Sequence, residues 1–166
     1  VIYDNGKKGE MGTEREVHIF KKGTSNWELW EQVIGGVLPS EHGGLLGDPF
    51  AEIGIERGCI VIEHFGGSRW KWNYTHRFRH QNEQWELIGA TIGSSANCEY
   101  AEIWDYNLSN GKIEYTKEGM ECEEQITSVE DQKAQFEHIS DPKPTLDGFY
   151  PGNNELKLSE ENTFYF

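Results

Sequence analysis

Hydrophobic and polar positions alternate most strictly over residues 69–80. The even positions are Trp70, Trp72, Tyr74, His76, Phe78 and His80, and the odd ones are Arg69, Lys71, Asn73, Thr75, Arg77 and Arg79. Successive side chains of a strand point to opposite faces. This segment therefore predicts a strand with one aromatic, core-directed face and one polar, cationic face. Gln81-Asn82-Glu83-Gln84 turns the chain, and residues 85–92 return as the antiparallel partner. Upstream, residues 14–21 alternate in the same way and end at Lys22-Gly23-Thr24-Ser25-Asn26. Residues 27–33 fit either period, since Trp27 and Trp30 have helical spacing and Trp27 and Leu29 strand spacing. The segment is short and bounded by glycine clusters, so a strand is preferred.

A long loop is expected over residues 35–50, which hold Pro39, Gly43-Gly44 and Gly47-Asp48-Pro49. Residues 51–55 and 59–65 read as a hairpin across Glu56-Arg57-Gly58, and residues 99–108 and 112–116 as another around Asn110-Gly111. One short helix is expected near 127–139. Thr127-Ser128-Val129-Glu130 has capping-box spacing, and Val129, Phe136 and Ile139 can share a helical face. Asp141-Pro142-Lys143-Pro144 ends it. Leu146, Phe149, Tyr150, Leu156, Leu158 and Phe164-Tyr165-Phe166 make the last segment too apolar to float free. The fold class is thus mostly β: an antiparallel meander sheet, a small sandwich or a partial propeller. It comprises a β domain over residues 1–141 and a C-terminal tail, 142–166, docked on it.

With 166 residues the chain is one domain in size and can bury enough surface to fold without metal or disulfide. It opens Val1-Ile2-Tyr3-Asp4 without a methionine and reads as a mature form or an excised fragment. No apolar run approaches the ~20 residues of a membrane helix. The formal charge of −14 argues against a nucleic-acid partner. The charge is uneven: Arg69, Lys71, Arg77 and Arg79 cluster with no carboxylate between His64 and His80, whereas carboxylates dominate residues 99–141.

Cys59, Cys98 and Cys122 form no CxxC pair, which makes a zinc ribbon or thioredoxin-type site improbable. If Ser109-Asn110-Gly111 is a three-residue loop, Leu108 faces Lys112, and the same register places Cys98 opposite Cys122, within disulfide reach. A two-residue loop would point the sulfurs apart. Cys59, on another apolar strand, reads as a buried free thiol.

Order and spacing over residues 43–89 carry a resemblance. The residues are Gly43-Gly44, Gly47-Asp48-Pro49-Phe50, Gly58, His64-Phe65-Gly66-Gly67-Ser68-Arg69-Trp70-Lys71-Trp72, Phe78-Arg79 and Trp85-Glu86-Leu87-Ile88-Gly89. This run resembles a group of uncharacterised exported bacterial β-rich proteins, often found with segments similar to FG-GAP or VCBS repeats. The resemblance implies an extracytoplasmic β domain, periplasmic, cell-surface or secreted, in some cases a lipoprotein. It implies no activity. No Asp-x-Asp-x-Asp-Gly loop occurs, so the calcium site of the FG-GAP relatives does not carry over.

Each candidate site has a plainer alternative. Glu41, His42 and Asp48 could surround a cation or ligand, or the glycines among them could simply make turns. Residues 64–69 could form an anion nest, although a strand and not a helix follows, so this is no phosphate loop. Arg69, Lys71, Arg77 and Arg79 could hold a carboxylate, phosphate or acidic glycan, or could pair across strands with Glu52, Glu56, Glu63 or Glu86. Trp70, Trp72 and Tyr74 could stack on a sugar, but alternation favours the core. His76 and His80 lie roughly 13 Å apart on a strand, too far for one metal. There is no Gly-x-Ser-x-Gly elbow. Asn73-Tyr74-Thr75 and Asn107-Leu108-Ser109 are formal glycosylation sequons, relevant only in a eukaryotic secretory setting.

Three functions remain open. The first is a non-enzymatic exported domain that binds a small ligand, glycan or protein, or serves as a structural module. The second is a glycan hydrolase with a carboxylate pair in the 35–50 loop. The third is an acidic cytoplasmic inhibitor of the immunity type. No metal or cofactor is implied by any motif.

Overall fold

The computed structural model describes residues 1–122, 129–160 and 162–166. The described chain is all-β and antiparallel, and its sheets do not close into a barrel. A first hairpin, β1 (Ile2–Gly9) and β2 (Gly12–Lys22), continues into β3 (Trp27–Ile34) as a three-stranded sheet. After the 35–49 loop come β4 (Phe50–Glu56), β5 (Cys59–Gly67), β6 (Trp70–Gln81), β7 (Gln84–Ala96), β8 (Tyr100–Asn107), β9 (Lys112–Gly119) and β10 (Gln132–Glu137). These seven pair in strict chain order, a pure meander. β11 (Glu155–Lys157) and β12 (Thr163–Tyr165) make a small hairpin in the tail.

Local chemistry sets the register. β4 and β5 meet at a two-residue turn, Arg57-Gly58, with φ of 49° and 78°. β6 and β7 meet at Asn82-Glu83, with φ of 51° and 63°. Two consecutive positive φ values give the turn twist that antiparallel strands prefer. From those turns Ile60 pairs with Phe78, Phe78 with Leu87, Ala90 with Tyr106 and Tyr106 with Ile113. One apolar face thus crosses the whole meander. It also carries Ile53 and Ile55, opposite Ile62 and Ile60.

Two covers share that face. Val17 and Val33 of the three-stranded sheet join Ile60, Ile62 and Phe78 in the core. From the tail come Leu146, Phe149, Leu156, Phe164 and Phe166. The Phe149 ring sits 4.8 Å from His76 and 5.3 Å from Phe78, and Phe164 stacks on Trp104 at 5.1 Å. The backbone of the tail is tied down as well: Leu87 N donates to Pro144 O and Leu146 N to Trp85 O.

The structure departs from the sequence pattern at three places. In place of a helix near 127–139 stands β10, paired with β9 so that Ala134 faces Tyr115 and Phe136 faces Ile113. Thr127 and Ser128 of the capping box lie outside the described residues. The free edge of β9 offers a full ladder of hydrogen-bond partners, and Ile139, counted in the helical face, is exposed. On β6 only His76 and Phe78 are fully buried. Trp72 and Tyr74 are half-covered and Trp70 is 59% exposed, because the covers stop short of that end.

The third departure is in the β8–β9 register. Asn107 pairs with Lys112, one residue away from the expected pairing, and Gly111 N returns to Asn107 O. Cys98 and Cys122 are nonetheless joined by a disulfide, with Cα atoms 5.2 Å apart. The reason differs from the expected one. Cys98 lies in the β7–β8 turn at φ 61°, and Met120 N bonds to Glu99 O just before Cys122. Cys59 is a buried free thiol.

If Phe149 pins the tail over the centre of β6, Phe149→Ala should cost about 3–5 kcal/mol in urea unfolding followed by tryptophan fluorescence, the usual range for a buried aromatic. A loss below ~1 kcal/mol would show that the tail contributes little to the core.

Candidate functional site

Glu41, His42 and Asp48 do not converge on an open site. Asp48 faces Arg15, a residue that sequence reasoning passed over. Arg15 Nη1 donates to Asp48 Oδ1 at 2.8 Å, and Nη2 donates to Oδ2. Arg15 Nε reaches Asp4 Oδ1 at 3.3 Å, and its side chain is only 8% exposed. Asp48 Oδ1 also accepts from Phe50 N at 3.0 Å, closing a turn at Pro49. The bidentate bonds from Arg15 hold the Asp48 carboxyl below its ordinary range. This clamp ties β1, β2 and the loop together and leaves Asp48 committed. His42 Nδ1 meets the Tyr150 hydroxyl at 3.2 Å, so it links the loop to the tail, and burial pushes its pKa down.

The cationic row on β6 divides into two pairs. Arg69 forms an ion pair with Glu99 and lies over the Trp70 ring, and Lys71 Nζ donates to Asn97 Oδ1 at 2.7 Å. Arg77 and Arg79 stand roughly 20 Å further along the strand, at ~3.3 Å per residue. Arg77 Nη1 donates to Thr91 Oγ1 at 3.2 Å, and that hydroxyl donates to Asp105 at 2.6 Å. Among the described residues, no ion pair joins this row to Glu52, Glu56, Glu63 or Glu86. Glu86 is instead held by Asn82 and Gln81, which lower its pKa. Arg57, Arg77 and Arg79 border a cleft of about 680 Å³ on the outer face, but Glu56 and Asp105 border it too. The groups in that cleft largely offset one another.

A more apolar concavity lies elsewhere. Between the three-stranded sheet and β4–β5 opens a cleft of about 900 Å³, lined by Tyr3, Phe20, Trp27, Trp30, Ile55 and Trp85 among others. Its mouth is wet: Trp27 is 69% exposed and Ile55 82%. Its floor is packed, with Trp30 against both His80 and Trp85 at 4.6 and 5.5 Å. The sequence held a signal for it. Trp27, Leu29 and Trp30 put apolar residues on both faces of one short strand, more than a single core face can bury. Among the described residues, no cluster of three or more metal-ligating side chains occurs.

Two buried histidines complete the electrostatics. His64 Nε2 accepts from Leu38 N at 3.2 Å, and neither ring nitrogen of His76 has a partner among the described residues. Burial, reinforced by Arg15 and His42 against an opposing Asp48, lowers His64 to about 4. Burial, with His64 and Arg77 adding to it, lowers His76 to about 3.

No family model matches the chain, and no curated protein or solved structure does either.

Both histidines are neutral in the folded protein at pH values where the unfolded chain protonates them. Folded stability is therefore undiminished above pH ~6.5 and falls as the pH drops from there toward 4. The slope is ~1.4 kcal/mol per pH unit for each histidine. In urea titrations between pH 7 and 4.5, His76→Phe should lose about half of this slope. An unchanged slope would mean that His76 is not buried as a neutral ring.

Proposed function

We propose that this chain is a non-enzymatic, exported bacterial β domain that binds a partner through the apolar cleft between its two larger sheets. One observation carries the reading: a concavity of about 900 Å³ whose lining is mainly apolar and includes exposed Trp27 and Ile55. Binding sites are typically concave and apolar, and tryptophan is enriched among the residues that dominate binding energy.

The Cys98–Cys122 disulfide supports an oxidising, extracytoplasmic compartment. The charge of −14 speaks against nucleic acid as the partner. Hydrolysis by a carboxylate pair in the 35–49 loop finds no support. Asp48, bound on both oxygens and held ionised by Arg15, is a poor proton donor.

A neutral apolar dye, N-phenyl-1-naphthylamine, tests the cleft directly. Its fluorescence should rise saturably with the folded protein. Trp27→Ala and Ile55→Ser, both at exposed positions, should weaken that binding about tenfold, ~1.4 kcal/mol, without changing the urea midpoint. Dye binding that ignores both substitutions would place the apolar site elsewhere.

A further inference from the structure

We propose that the outer edge of β4 accepts an extended segment of a partner protein in which apolar residues alternate with lysine or arginine. The proposal rests on the reading of the inter-sheet cleft as a binding site and names what fills it.

β4 is the terminal strand of the meander and pairs on one side only, with β5. The residues flanking a two-residue turn exchange hydrogen bonds, and the alternation of an antiparallel ladder follows from there. Glu56, opposite Cys59, and then Gly54 and Glu52 direct their backbone groups to β5. Ile53 and Ile55 direct theirs outward. Among the described residues, no backbone hydrogen bond from outside the sheet reaches either of them. The edge is seven residues long and contains neither proline nor lysine, two common guards of exposed edges.

The two faces of this edge differ in chemistry. Ile53 and Ile55 share the inner face and line the mouth of the apolar cleft. Glu52 and Glu56 share the outer face, with Glu63 opposite Glu52 on β5. All three are exposed, and none forms an ion pair among the described residues. Glu56 borders the cleft that also holds Arg57, Arg77 and Arg79, so the uncompensated charge beside β4 is that of Glu52 and Glu63. A methyl group built on Gly54, between the two glutamates, would meet nothing within 4 Å, so a long partner side chain has room to lie there. A strand added beside β4 would satisfy the free backbone groups and send alternate side chains into the cleft. The others would lie against the carboxylates of Glu52 and Glu63. Apolar residues suit the first set and cationic residues the second.

A second copy of this chain is the poorer occupant. Antiparallel pairing of two β4 edges about Gly54 would set Glu52 against Glu56 twice, between molecules that each carry −14.

The test uses a blocked octapeptide alternating valine and lysine, titrated into the whole chain and read by tryptophan fluorescence. Two control peptides accompany it. One carries glutamate for lysine, and the other has N-methyl groups on alternate residues so that it cannot complete a ladder. Saturable binding of the lysine peptide is expected. It should be about tenfold tighter than the glutamate peptide, as a few cross-strand charge pairs would give. Binding should be lost on N-methylation, and Glu52→Lys with Glu63→Lys should reverse the charge preference. Equal affinity for both charge types, indifference to N-methylation, or dimerisation through this edge would overturn the proposal. If the naphthylamine dye binds and no peptide does, strand addition falls and the cleft reading stands. If neither binds, both fall.

Discussion

A sheet with one continuous apolar face must be covered, and the way this cover is assembled governs the rest of the molecule. The seven-stranded meander presents apolar residues on every strand from Ile53 to Phe136. No single element spans such a face. The three-stranded sheet covers it beside Ile60, Ile62 and Phe78, and the C-terminal tail covers it beside Trp104 and Tyr106. Leu146 and Phe149 lie close to the junction, within reach of Gly36 and His76. Covers that meet in the middle leave the ends short. At one end of β6 this exposes Trp70, and at β4 it leaves the cleft.

The 35–49 loop joins the two sheets, and its polar contacts fix how they sit together. Arg15 is nearly buried yet bound to Asp48, Asp4 and the Leu38 carbonyl. Such a cation is costly to bury unless it is paired and hydrogen-bonded. Its bonds position the loop on β2, and Leu38 N in turn bonds to His64 on β5. Residues that suggested ligand chemistry, Asp48 above all, serve this junction.

What was legible in the sequence follows from local rules. Strict alternation on β6 and the turns at Arg57-Gly58 and Asn82-Glu83 depend on neighbours along the chain, and the meander follows from them. β10 was not legible, because Phe136 fits either period and the deciding partner, the free edge of β9, is a tertiary fact. The Arg15 clamp was hidden for the same reason, since its partners Asp4, Leu38 and Asp48 are far apart in sequence. Cys98–Cys122 shows the limit of register arithmetic. The bridge forms, but from a turn residue and under a different strand register. The cleft could have been suspected from Trp27, Leu29 and Trp30, but only the packing of the two sheets shows where the surplus apolar surface gathers.

Partner binding at the cleft depends most on β4 being an open edge with its inner face at the cleft. Amide hydrogen exchange, resolved by residue in the free protein, tests this directly. Gly54 and Glu56, bonded to β5, should be strongly protected, while Ile53 and Ile55 exchange at nearly the unprotected rate. Equal protection at all four amides would mean that the edge is already covered, and would contradict the account.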